Sequence, residues 1–131
     1  MKIYNLKKTT ENGQTKVSVS IQSKRLGQKE LWFSTPEKYA DFMCADRLDA
    51  FAVGMLFPAA QYNENLHLEG RISKKLLFNL NNYIVPLINT FSPSTARIQI
   101  KAAEVTTERF QSKGIGAGFS GGVDSFCTLY D

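Results

Sequence analysis

Asn12-Gly13 stands between two stretches of alternating polarity, KIYNLKK and TKVSVSIQS. This arrangement constrains the fold more than any other feature of the chain. Asn-Gly accepts the positive φ angles that a two-residue hairpin loop requires, and period-2 alternation gives each strand one face to bury. Residues 2–9 and 15–23 therefore predict an antiparallel hairpin. Gly27-Gln28 breaks the chain again. KELWFS (29–34) then reads as a third strand, with Leu31 and Phe33 on one face and Trp32 on the other.

The period then changes. In STPEKYADF, Thr35 suits a cap, Pro36 the first helical position and Glu37 the positive helix end, which predicts a short helix near 36–43. Asp46 is expected to cap a second helical run over 47–57. There Leu48, Phe51, Ala52, Met55 and Leu56 recur at helical spacing, and Pro58 is expected to end or kink it. NLHLEG (65–70) reads as a short strand, with His67 opposite Leu66 and Leu68. Ser73 opens a longer helix over 74–91. Its stripe runs through Leu76, Leu77, Leu80, Tyr83, Ile84, Leu87, Ile88 and Phe91, and Pro86 is expected to bend it. TARIQIKAAEV (95–105) alternates strictly, with Ile98, Ile100 and Ala102 on one face. The expected fold class is α+β: an antiparallel sheet, formed by the hairpin and further strands, with two main helices packed on one face.

Charge and cysteine content narrow the setting. Residues 1–30 carry seven cations and two anions, a net +5, while the other 101 residues carry nine cations and ten anions, a net −1. A basic N-terminal segment suits nucleic acid, but the plainer reading is a solvated hairpin whose lysines discourage edge pairing. No apolar run approaches the ~18 residues that cross a bilayer, so no membrane partner is expected. MKIYNLKKTTENG lacks the apolar core of a signal peptide. Cys44 and Cys127 lie far apart, as in a reducing, cytoplasmic setting. Both are expected to be small buried hydrophobes. His67 is alone and reads as an exposed strand residue, so no metal site is expected. Asp46, Arg47 and Asp49 read as helix-start charges, and Trp32, Phe33 and Tyr39 as core.

The end of the sequence carries the chemistry. TTERFQSKG is polar and aperiodic; IGAGFS reads as a strand; SGGVDS (120–125) and a helical start, VDSFCTLY, follow. Gly121 and Gly122 let the backbone turn sharply and approach an anion closely. The unpaired N–H groups of such a loop converge at a positive helix end, which suits an oxyanion. Ser120 and Ser125 add hydroxyl donors. Asp124 would repel phosphate directly, and makes sense if it helps hold Mg²⁺ or orients the loop. There is no GxxxxGK[ST], and the glycines at 114, 116 and 118 lack the spacing of a dinucleotide fingerprint.

GFSGGVDS resembles the SGGxDS signature of the PP-loop (N-type) ATP pyrophosphatases, the adenine-nucleotide α-hydrolase superfamily. The resemblance covers about residues 115–131. It implies that Ser120, Gly121, Gly122, Val123 and Ser125 bind the β,γ-phosphates of ATP, and that Asp124 is the catalytic acidic residue of the loop. It implies adenylation of a substrate oxygen with release of pyrophosphate, followed by displacement of AMP by nitrogen or sulfur. ATP and Mg²⁺ are the implied cofactors, and tRNA, a nucleobase or a small carboxylate or amide the implied acceptor.

The organisation expected from this is an accessory α+β domain over 1–105, a linker over 106–114, and an incomplete α/β PP-loop domain from 115 to 131. The adenine pocket of such a fold comes from later strands, so the chain is expected to be the front of a longer enzyme. On its own it is expected to turn over no ATP and to hold no cofactor tightly. The apolar tail is expected to favour a homodimer. The alternative is a non-catalytic module binding a substrate or a partner such as RNA, with an inert loop.

Overall fold

The computed structural model describes residues 1–95, 97–109, 122 and 123. Strands β1 (Lys2–Glu11) and β2 (Gln14–Ser23) form the expected hairpin, with Glu11 opposite Gln14. Asn12 and Gly13 take φ of 52° and 72°, so the turn uses the left-handed region that Asn-Gly favours. Gly13→Ala should cost about 1–2 kcal/mol in urea melts. Nothing crowds a Cβ there, so the loss would be backbone strain alone. A second left-handed residue, Asn5 (φ 60°), sits in a bulge that places Asn5 and Leu6 against one β2 position and keeps Leu6 against the core.

β3 (Gly27–Pro36) pairs antiparallel with β2 along its whole length. It runs through Thr35 and Pro36, so Pro36 stands at the N-cap position of the next element instead of its first helical position. The turn that follows is a 3-10 helix, Glu37–Phe42, without a side-chain cap. Helix α1 spans Asp49–Gln61 and buries Phe51, Ala52, Met55 and Leu56 as the spacing predicts. Two departures from the sequence reading stand out here. Asp46 does not cap α1, whose N-cap position is Leu48; it binds Arg47 and Cys44 instead. Pro58 does not end the helix. The carbonyl deprived of its donor belongs to Gly54, an exposed residue with open space around it, where water can satisfy it, and the buried Ala59 and Ala60 hold the last turn down.

β4 (Leu66–Ser73) runs parallel to β1, and β5 (Ile100–Thr106) runs parallel to β4. The sheet order is β3-β2-β1-β4-β5. The sheet is therefore mixed, not antiparallel. Alternation fixes the buried face of a strand and is silent on its direction. Here β4 is reached through α1 and β5 through the next helical run, and such crossovers return a chain parallel.

That run consists of α2 (Lys74–Asn79), a π-helical turn (Leu80–Ile84) and α3 (Val85–Phe91). Pro86, near the start of α3, has no N–H to offer the preceding turn, and the wider π turn takes up the mismatch. It also rotates the apolar stripe. Leu80 and Val85, five residues apart, are buried, while Tyr83, Ile84, Leu87 and Phe91 are exposed.

The core is one cluster between the sheet and these helices, centred on Ile3, Val19, Leu66, Ile72, Leu48 and Phe51. Trp32, Phe33 and Tyr39, expected inside, are exposed: β3 is an edge strand, and the Trp32 face of the sheet is its outer one. Phe33 still meets Phe51, with ring centroids 5.3 Å apart. His67 is exposed as expected. At the far end of the sheet the Met1 ammonium is enclosed and lies 3.0 Å from Glu64 Oε2. Glu64 also accepts from the Ser23 hydroxyl (2.7 Å) and the Lys24 and Arg25 amides. Burial pushes the Glu64 carboxyl up, but the Ser23 hydroxyl, the Met1 ammonium and the two amides outweigh it and hold the pKa at about 2. Among the described residues, no helix is long and apolar enough to cross a membrane.

Candidate ligand-binding cleft

The parallel strands β4 and β5 end together, at Ser73 and Thr106, and the chain on either side of these ends encloses a cleft of about 750 Å³. The carboxyl ends of parallel strands are where open α/β sheets present their ligand crevices. One wall is the β4–α2 junction with Lys74, Lys75 and Phe78; another is Thr106–Arg109; the start of α1 closes the base.

A polar clamp shapes the base. Arg47 is 5% exposed. Its Nη2 donates to Asp46 Oδ2 (3.1 Å), and its Nη1 donates to the Glu108 carbonyl (3.1 Å) and the Ser73 hydroxyl (3.4 Å). Asp49, on the first turn of α1, accepts from the Ser73 amide (2.8 Å) and the Ser73 hydroxyl. Arg71 reaches across to Glu104 (2.8 Å) and Glu108 (3.5 Å). The start of α1, the end of β4 and the segment after β5 are thus tied together, so Arg47 and Asp49 serve as structural ties as well as helix-start charges. The Cys44 thiol, then the Arg47 guanidinium, lowers the Asp46 carboxyl. Cys44 is exposed rather than buried, yet partial burial of its sulfur, then its bond to Asp46, raises the thiol, so it is a poor nucleophile.

The cations on the rim differ from Arg47. Among the described residues, Lys74, Lys75 and Arg109 are paired with no carboxylate. Phe78 lies three residues after Lys75 and four after Lys74, so the three share one side of α2. Its ring is 54% exposed and meets Tyr83 edge-on at 5.8 Å. None of these four residues stood out in the sequence. The available signal was the Lys-Lys pair opening the helix and Phe78 lying off the apolar stripe.

The loop residues read from the sequence are placed only in part. Gly122 and Val123 are exposed; Ser120, Gly121, Asp124 and Ser125, as well as Cys127, lie outside the described residues. The strand expected at 115–120 lies outside them too. Three of the seven N-terminal cations are used within the fold: Lys2 pairs with Glu69 (2.7 Å), Lys16 with Glu30 (2.9 Å), and Lys8 donates to the Ala40 carbonyl (2.8 Å). Among the described residues, no group of His, Cys, Asp or Glu side chains is arranged to hold a metal ion. No family model, curated protein or solved structure matches the chain.

Proposed function

We propose that the chain is part of an adenylating enzyme of the PP-loop ATP pyrophosphatase type, in which the α+β unit handles the acceptor and SGGVDS holds the pyrophosphate end of ATP. The observation that carries this is the residue order GFSGGVDS between an apolar, glycine-rich stretch and a helix-forming one. Two glycines for close backbone approach, two flanking hydroxyls and one acid fit an anion loop with a tethered carboxylate, and each has a separate physical reason.

In this reading a substrate oxygen attacks the α-phosphorus of ATP, and the bond to the β-phosphate oxygen breaks. The N–H groups at Gly121 and Gly122 and the hydroxyls of Ser120 and Ser125 stabilise charge on the departing pyrophosphate. A nitrogen or sulfur nucleophile then attacks the adenylated centre and AMP leaves. Mg²⁺ would meet the protein at Asp124 and screen the phosphate charge. The cleft at the ends of β4 and β5 supports a role for the preceding unit, because a ligand-sized hollow lies beside the segment that leads to the loop.

Inorganic pyrophosphate is the direct probe. Titrated into the pure chain, it should bind, and Gly122→Asp should weaken it at least about tenfold by placing a carboxylate at the anion site, a change of ~1.4 kcal/mol. Equal binding by the variant, with melts unchanged, would remove the loop from phosphate recognition. The alternative, a binding module with an inert loop, then becomes the better reading, and the cleft is the feature that favours it.

A further inference from the structure

We infer that the cleft between α2 and the end of β5 is a binding site for a free nucleoside monophosphate, with the ring against Phe78 and the phosphate among Lys74, Lys75 and Arg109. This stands apart from the phosphate-loop reading and uses none of its residues.

Three features converge. The cleft holds about 750 Å³, within the range of small-molecule sites. Its rim carries three cations without carboxylate partners among the described residues, two on α2 and one on the opposite wall. The two carboxylates nearby are engaged: Asp49 accepts from Ser73, and Glu108 faces Arg71. With Arg47, the lining holds four cations against these two carboxylates, so its net charge is positive and an anion is the complementary guest.

The wall beside the cations is apolar and aromatic. Phe78 presents an open ring, and its neighbour Tyr83 meets it edge-on, which fixes the ring's tilt. An inorganic anion alone would leave that wall wet; an apolar ligand alone would leave the lysines unanswered. A planar base that carries one phosphate answers both. Stacking on Phe78 tolerates any base, since every base has a π-face. The clamp of Arg47 on Ser73 and the Glu108 carbonyl holds the two walls at a fixed separation, so the site is formed before a ligand arrives.

The test is calorimetric titration of the full chain at low salt with AMP, adenosine and inorganic phosphate. AMP should bind at least about tenfold more tightly than either half, and more weakly as salt rises. The pair of changes Lys74→Glu and Lys75→Glu should weaken AMP at least about tenfold. Phe78→Ser should weaken AMP and leave phosphate unchanged. All three side chains are exposed, so the variants should fold, and thermal melts would check this. Phosphate binding as tight as AMP would overturn the proposal, as would AMP binding that survives the double change. AMP binding lost instead in Gly122→Asp would place the nucleotide on the loop and equally refute the cleft, while supporting the loop reading.

Discussion

Replacing Glu64 by Ala is expected to cost about 3–5 kcal/mol. The carboxylate is buried and answers four donors at once: the Met1 ammonium, the Ser23 hydroxyl and the amides of Lys24 and Arg25. Removing it takes the counter-charge from a buried amine, left with the Asn65 carbonyl, and an acceptor from three neutral donors. Urea melts at pH 7 measure the loss, and a value under about 1 kcal/mol would show that water replaces the carboxylate. The same group makes stability depend on acid. Its ordinary pKa is 4.5 and the fold holds it at about 2. A depressed carboxyl contributes stability above its unfolded value and loses it as pH falls through the folded one. The contribution, on the order of 3 kcal/mol at neutral pH, should decline between pH 5 and pH 2. Wild type and Glu64→Gln should therefore converge in stability across that window, and a constant gap would contradict the ionic origin.

Leu80→Ala and Ile84→Ala should differ sharply, although both belong to the apolar stripe of the sequence. Leu80 is 3% exposed and packs in the core; Ile84 is 37% exposed. The first change should cost about 2–5 kcal/mol and the second under about 1. Equal losses would mean that the helix runs as a plain α-helix with Ile84 turned inward. The comparison thus reads out the π turn from stability alone. Val85→Ala should side with Leu80.

These two helical residues also show where sequence reasoning stops. Among the described residues periodicity located each strand and both main helices, because each strand has one buried face and each helix one buried stripe, although the last strand, expected over 95–105, starts only at Ile100. The Asn12-Gly13 pair marked the hairpin turn. Periodicity placed the Phe51–Met55 face of α1 correctly. It missed the rotation at Leu80–Ile84, because nothing in the pattern LNNYIVP marks one extra residue in a turn; Pro86 signals a disturbance and not its form. The parallel pairing of β1, β4 and β5 was hidden for a related reason: alternation is the same read in either direction. Trp32 and Phe33 were expected inside because aromatic residues favour burial, yet burial depends on whether a strand is central or at the edge, and sheet order is a tertiary fact. The cleft was hidden in the same way. Lys74 and Phe78 come from α2 and Arg109 from the segment after β5, and only the joint ending of β4 and β5 brings the two together. The loop at 120–125 is the reverse case, legible as a motif and largely outside the described residues.

The enclosed amine of Met1 gives the molecule a built-in chemical reporter of local opening. A reagent that acylates amines cannot reach that nitrogen while it sits against Glu64 and the Asn65 carbonyl, at 3.0 and 2.7 Å. It reacts only during excursions in which the first strand lifts from β4. When reclosing is fast, the acylation rate of the N-terminal peptide equals the free-amine rate multiplied by the population of the open form. Lysines on the outer sheet face are acylated meanwhile and calibrate the reagent within the same sample. Mass spectrometry of one digest would thus read the population in which the central β1–β4 pairing is open, without denaturant.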